Sequence, residues 1–177
     1  MTRIGFRHCD SRYPFLWGTA LQTAARWHGP GEGPVHYFAD TPVGAWAEFL
    51  RHEEIRDAAD LMGVRRSLWA AQLPDRGYAI PSLPGKELTG GRVSYTACQA
   101  EAARLRAEGA ERIEAPSAAL VAGGARGWVS DPEEKPASAA RDGIVWVLYG
   151  VASRLVGWPA AEAVPPPSRV LPLVRHF

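Results

Sequence analysis

Cysteine is scarce in this chain. Cys9 and Cys98 are the only two among 177 residues, and their separation matches no metal-ligand or redox spacing. A disulfide framework and a CxxC centre are thereby excluded, and two free thiols fit a reducing cytoplasm. Charge of one sign is equally lacking. Lys and Arg number 20 against 19 Asp and Glu, for a net charge of +1, which removes the general electrostatic case for nucleic acid or an anionic membrane surface. Any anion must be met by local arginines. The longest apolar runs fall well short of a membrane span, and the opening MTRIGFRHCDSRY has no apolar h-region. A cytoplasmic protein is the expectation. GxGxxG, GxxxxGK[ST], HExxH and GxSxG are absent as well, so the familiar dinucleotide, phosphate-loop, zinc-protease and hydrolase signatures do not apply.

What is present reads as an ordinary folded domain. Hydrophobic residues make up 46% and charged residues 22%, near the averages for globular proteins, and the length suits a single core. Residues 4–8 open the chain as a short strand, and Arg12, Tyr13 and Pro14 follow in a loop. GPGEGP at 29–34 is strong turn chemistry before VHYFA at 35–39, a strand centred on Tyr37. Thr41 offers an N-cap and Pro42 a first helical residue for a helix running to about His52. Its apolar stripe is Val43, Trp46, Ala47 and Leu50, which puts Glu48 on the opposite, solvent side.

Further along, residues 67–73 read as a strand and 74–91 as a long connection rich in Pro and Gly. Ser94 caps the clearest helix, with Tyr95, Cys98, Ala102 and Leu105 as its buried stripe and Gly109 as its stop. Ile113 marks a short strand, after which Pro116 makes a turn and Ser117 exposes a hydroxyl. Residues 131–143 form a polar surface excursion, 144–149 a buried strand, 164–168 a stiff spacer and 170–175 a last strand. The connections lack regular βαβ lengths, so an α+β fold with a mixed or antiparallel sheet and flanking helices is expected.

Several features invite chemistry and are better explained by structure. GPGEG precedes a strand instead of opening a helix, so it is a turn and not a phosphate cradle. His8, Cys9 and Asp10 are potential metal ligands, but neighbours on a strand point to opposite faces and no second cluster completes the set. No metal is expected. Seven tryptophans without a basic excess suit core packing for the most part, not base stacking. Arg26, Tyr37, Glu48 and Ser117, each taken alone, would be a surface arginine, a sheet tyrosine, a helix-face glutamate and a turn serine.

Their order and surroundings are more informative. AARWHGPG, VHYFADTP, AWAEFLRH and EGAERIEAPSAAL, with Phe6 and Arg7 ahead of them, resemble the RES domain, a family named after its Arg, Glu and Ser. The resemblance covers residues 6 to about 120. Relatives commonly carry two glycines before the arginine and an asparagine after the tryptophan, where this chain has Ala24, Ala25 and His28. It implies a single RES-like domain over 1–177, with 121–177 as its less clearly matched C-terminal part, and an ADP-ribosyltransferase-like fold. It also implies a toxin of a toxin-antitoxin system that takes NAD as substrate and cleaves it by hydrolysis or phosphorolysis. The partners implied are a cognate antitoxin, NAD and inorganic phosphate, with a homodimer left open.

The residues suit that reaction. Losing nicotinamide turns a cationic base into a neutral one, so the main need is to stabilise an oxocarbenium-like transition state, and a carboxylate near the ribose does this. Glu48 is the candidate. Arg7 and Arg26 are candidates for the pyrophosphate, since guanidinium groups offer it bidentate donors. Tyr37 suits packing against nicotinamide, and Ser117 is placed to bond a phosphate, a ribose or Glu48. Transfer of ADP-ribose to a macromolecule, and a catalytically inactive binding module, are the two alternatives.

Overall fold

The computed structural model describes residues 3–13, 15–16, 22–129, 137–151 and 154–177. Among these described residues eight strands run as β1 (Arg3–Asp10), β2 (Val35–Ala39), β3 (Arg66–Leu73), β4 (Arg112–Pro116), β5 (Gly127–Val129), β6 (Ala137–Ala139), β7 (Ile144–Tyr149) and β8 (Gly157–Val164). Helices are α1 (Pro42–His52), α2 (Gly85–Leu88) and α3 (Tyr95–Ala107). Six strands make one sheet in the order β4-β7-β2-β1-β3-β8, and β5 and β6 pair by themselves. Every strand pairing is antiparallel. The α+β expectation holds.

Period-two alternation sorts the sheet's side chains. Val145 and Val147 of β7 join Ile113, Ala115 and Val35 beneath Cys98, Ala102 and Leu105 of α3, whereas Trp146 and Leu148 face the other way with Phe38, Ala71 and Leu73. A third cluster packs α1 through Trp46, Phe49 and Leu50 against Leu68, Leu120 and Val170. Thr41 Oγ1 accepts from the Gly44 backbone N–H at 3.0 Å, so α1 is capped as its sequence suggests. Its burial is wider than one stripe: Gly44, Ala45, Phe49 and Arg51 are buried as well. No helix among the described residues is long and apolar enough to cross a membrane.

The sheet is two half-sheets joined at one point. All of β1, from Arg3 to Asp10, pairs with β3, and all of β2 pairs with β7. Between β1 and β2, however, the register holds a single pair, Phe6 with Ala39. Beyond it the strands part. A wedge opens between residues 7–10 on one side and residues 35–38 on the other.

Four local expectations need correction. Ser94 makes no side-chain cap on α3; its hydroxyl instead donates to Gly91 O at 2.8 Å and accepts from Arg26. Pro116 ends β4 rather than making a turn, and Ser117 is buried, at 5% exposure. Residues 168–173 form a 3₁₀ helix around Pro172, not a strand, since proline cannot donate to a ladder and fits a tight helical turn. Among the described tryptophans Trp27, Trp46 and Trp146 are buried, but Trp128 and Trp158 are exposed. Pro14, Trp17 and residues 131–136 lie outside the described residues, and 137–139 of the polar segment form β6. The turn at 29–34, with Gly31 at φ +75°, and the stop at Gly109, with φ +93°, are both present.

Candidate functional site

The wedge holds a cavity of about 340 Å³ lined by Arg7, His8, Tyr37, Glu48, Arg51 and Arg66 among others. Arg26 lines it too, and Pro116 and Ala118 flank Ser117 at its edge. All five residues singled out from the sequence therefore meet here, although they come from β1, the turn before β2, β2 itself, α1 and the end of β4.

Glu48 does not face solvent. Its side chain is 24% exposed, because it turns into the cavity and meets Ser117 just past the end of β4. Ser117 Oγ donates to Glu48 Oε1 at 3.2 Å, and Ser117 Oγ in turn accepts from the Ala119 backbone N–H at 3.2 Å. That second bond orients the hydroxyl toward the carboxylate. On the other side, His52 Nε2 lies 3.8 Å from Glu48 Oε2, one helical turn on.

Tyr37 presents its ring, not its hydroxyl. His28 Nε2 is 2.9 Å from the Thr23 carbonyl, which can only accept, so that nitrogen carries the proton. Burial holds the imidazole below its ordinary pKa and hence neutral, which leaves Nδ1 to accept from the Tyr37 hydroxyl at 2.9 Å. The Trp27 backbone N–H donates to the same hydroxyl at 3.1 Å. Burial raises the phenol well above its ordinary pKa. Ala24 and Ala25 need no positive φ, and Gln99 Nε2 holds the turn by donating to Ala25 O at 2.8 Å.

Arg26 is buried, and its terminal nitrogens are engaged by the protein. NH1 donates to Glu87 O at 2.9 Å and Ser94 Oγ at 2.8 Å, and NH2 donates to Gly90 O at 2.5 Å. Arg51, absent from the sequence-derived set, shares that carbonyl: its NH2 donates to Gly90 O at 2.7 Å, and its NH1 to Ala118 O and to Arg175 O. Position 90 is a glycine because a Cβ there would collide with the Lys86 carbonyl. The two arginines thus pin the segment before α3, whose Tyr95 ring lies 4.8 Å from the Arg26 guanidinium. Phe177 sits over Arg51 at 4.3 Å and Arg92 at 4.6 Å, at the same rim. Helical spacing was the available signal for Arg51, three residues after Glu48; nothing local marks Arg66 or Phe177.

Arg7 is the least occupied of the expected cations. Among the described residues its hydrogen-bond partner is His36 Nδ1 at 3.5 Å. Burial lowers its pKa, with the nearby Arg66 adding to the effect, and His36 falls to about 4 through burial and then the Arg7 charge. Among the described residues no group of three or more His, Cys, Asp or Glu is placed to hold a metal ion.

An antiparallel α+β sheet that splits over a cleft carrying arginines, a tyrosine, a glutamate and a serine defines the class of site. The RES domain model matches residues 2–143, and the chain belongs to that family. Among solved structures it is similar to the crystal structure of the M. tuberculosis MbcT-MbcA toxin-antitoxin complex, with TM-score 0.58 and 15% identity over 91% of this chain and 85% of that one. At that identity the likeness is one of fold. Comparison with curated proteins returns no match.

Proposed function

We propose that the protein is a RES-type toxin that binds NAD in this cleft and cleaves its nicotinamide–ribose bond, depleting the dinucleotide. The observation that carries the reading is the Glu48 carboxylate, oriented by the Ser117 hydroxyl at 3.2 Å inside a cavity that also holds Arg7, Arg26 and Tyr37. Family membership supports the same reading.

In this scheme nicotinamide leaves as a neutral base and needs no acid. Positive charge develops on the ribose ring, and Glu48 opposes it electrostatically while accepting a ribose hydroxyl. Ser117 keeps Oε1 from rotating away. The Tyr37 ring, with its hydroxyl already satisfied, packs against the base. Arg7 meets the pyrophosphate with free donors, whereas Arg26 contributes mainly its charge, since its terminal nitrogens are taken. Water or phosphate then adds one oxygen to the anomeric carbon and gives up a proton, forming ADP-ribose or its 1-phosphate.

On this reading the functional unit is the whole of 1–177, because β7, β8 and the 3₁₀ helix from its last third complete the sheet and cover α1. The protein acts in the cytoplasm and is held in check by a cognate antitoxin. Purified protein incubated with NAD, with and without phosphate, tests this by chromatography of released nicotinamide. Release is expected from wild type and reduced roughly a hundred-fold or more in Glu48→Gln. Equal release by that variant, with its fold intact, would overturn the assignment.

A further inference from the structure

Cleavage of NAD by water yields nicotinamide, ADP-ribose and one proton, which some group in the cleft must take. Glu48 is a poor destination, because a protonated carboxyl no longer opposes the positive charge on the ribose. Burial raises the pKa of three other groups that line the cavity, the Cys9 thiol and the Tyr37 and Tyr95 phenols, so they keep their own protons. Asp10 lines it too. Hydrogen bonds from Arg12, by Nε and NH2 and by the backbone N–H, hold that carboxyl well below the usual carboxylate range.

Of the five histidines, His8 and His52 line the cavity. His8 is unsuited. Its Nδ1 accepts from Arg66 NH2 at 3.1 Å, which puts the ring proton on Nε2 and leaves no free lone pair; burial, then Arg66, Arg7 and His52, keep the ring uncharged. His52 differs on each count. Its ring nitrogens make no hydrogen bond among the described residues, its side chain is 47% exposed, and Nε2 lies 3.8 Å from Glu48 Oε2. Residues four apart share a helix face, so α1 brings imidazole and carboxylate into the cleft together. Glu48 thus faces His52 from its own helix and His8 from β1, while the Phe177 ring of the C-terminal segment meets it edge-on at 6.0 Å. The cations lining the same cavity are Arg7, Arg26, Arg51 and Arg66.

We infer that His52 is the general base of the reaction and takes the proton of the attacking water, an inference that rests on the NAD reading. As the C–N bond breaks, its electron pair goes to nicotinamide. The water oxygen bonds to the anomeric carbon, and its proton passes to the imidazole. The imidazolium so formed lies beside the Glu48 carboxylate, and the half-exposed ring returns the proton to solvent. An imidazole gains and loses a proton near neutrality, which suits it to this task. Phosphate attacking through an anionic oxygen needs no such base, so dependence on His52 marks water as the nucleophile.

The test is nicotinamide release in phosphate-free buffer by wild type, His52→Gln and His52→Asn, from about pH 5.5 to 9, with circular dichroism at each pH. On the acid side the wild-type kcat is expected to fall about ten-fold per pH unit as the imidazole protonates. Both variants should lose that limb and run roughly a hundred-fold below the wild-type plateau, with KM for NAD within about two-fold of wild type. The Asn variant serves if the Gln variant does not fold. An acid limb that persists in a folded variant overturns the inference, as does a rate equal to wild type or a loss carried by KM alone. A wild type that releases nicotinamide without an acid limb overturns it as well. All of these results leave NAD cleavage standing. No release from wild type at any pH sinks the NAD reading and this inference with it.

Discussion

On the side of the cleft formed by α1 and the segment before α3, Arg51 and Arg26 direct their donors at the carbonyls of Gly90, Glu87, Ala118 and Arg175. Across the cleft, among the described residues, Arg7 has His36 Nδ1 at 3.5 Å, and Arg66 has His8 Nδ1 at 3.1 Å and Asp10 Oδ2 at 4.0 Å. All four line the same cavity. The difference is what each guanidinium has left to offer. A cation saturated by carbonyls fixes the shape of the site, whereas one with free donors is available to a ligand.

Replacing Arg51 should break the first side outright. Arg51→Met leaves the carbonyls of Ala118 and Arg175 without their charged donor and takes from Gly90 O one of its two, and a loss of about 4 kcal/mol in urea unfolding is expected. Arg7→Met, by contrast, should cost little. Similar losses in the two variants would erase the distinction between architectural and ligand-facing arginines.

Acid should weaken the second side. His36 has a folded pKa of about 4 against an ordinary 6.5, so between those values the unfolded chain binds a proton that the folded chain does not. Stability from this group is therefore complete above pH 6.5, falls as the pH drops, and is lost below about 4. The loss is about 3 kcal/mol at most for His36, and His8 acts in the same direction. Melting temperatures between pH 7 and 4 should fall less steeply for His36→Gln than for wild type. Parallel slopes would count against a histidine kept neutral beside Arg7.

Ligand affinity offers a finer contrast. Arg7→Gln is expected to weaken NAD binding about ten-fold with the melting temperature nearly unchanged, while Arg26→Gln should lower both. Equilibrium binding beside thermal unfolding separates the two behaviours. The smallest expected effect belongs to Ser117→Ala, which removes the hydroxyl that orients Glu48 and should slow nicotinamide release roughly five-fold. An unchanged rate would mean that Glu48 needs no such support.

Local pattern was a good guide where the physics is local. The strand at 35–39 and the helix at 42–52 stand where turn residues, the Thr41 cap and Pro42 put them. It failed where a neighbour distant in sequence competes. Ser94 would cap a helix in isolation, but Arg26, 68 residues away, occupies its hydroxyl. Pro172 sits in a segment whose apolar residues suggest a strand, and packing on α1 turns it into a 3₁₀ helix. Glu48 looked solvent-facing because periodicity registers one buried stripe, and this helix is covered on a second side.

Composition, turn chemistry, helix capping and the ordered run of Arg26, Tyr37, Glu48 and Ser117 were enough to determine the α+β class, most of the elements and the family. These depend on short-range backbone preference and on residue identity along the chain. Tertiary structure alone decided which guanidiniums are saturated by backbone carbonyls and which are not. The wedge exists because β1 follows β3 and β2 follows β7 after their single shared pair. Whether a guanidinium ends against a carbonyl or in an open cavity depends on segments brought together from across the chain, which one-dimensional spacing does not encode.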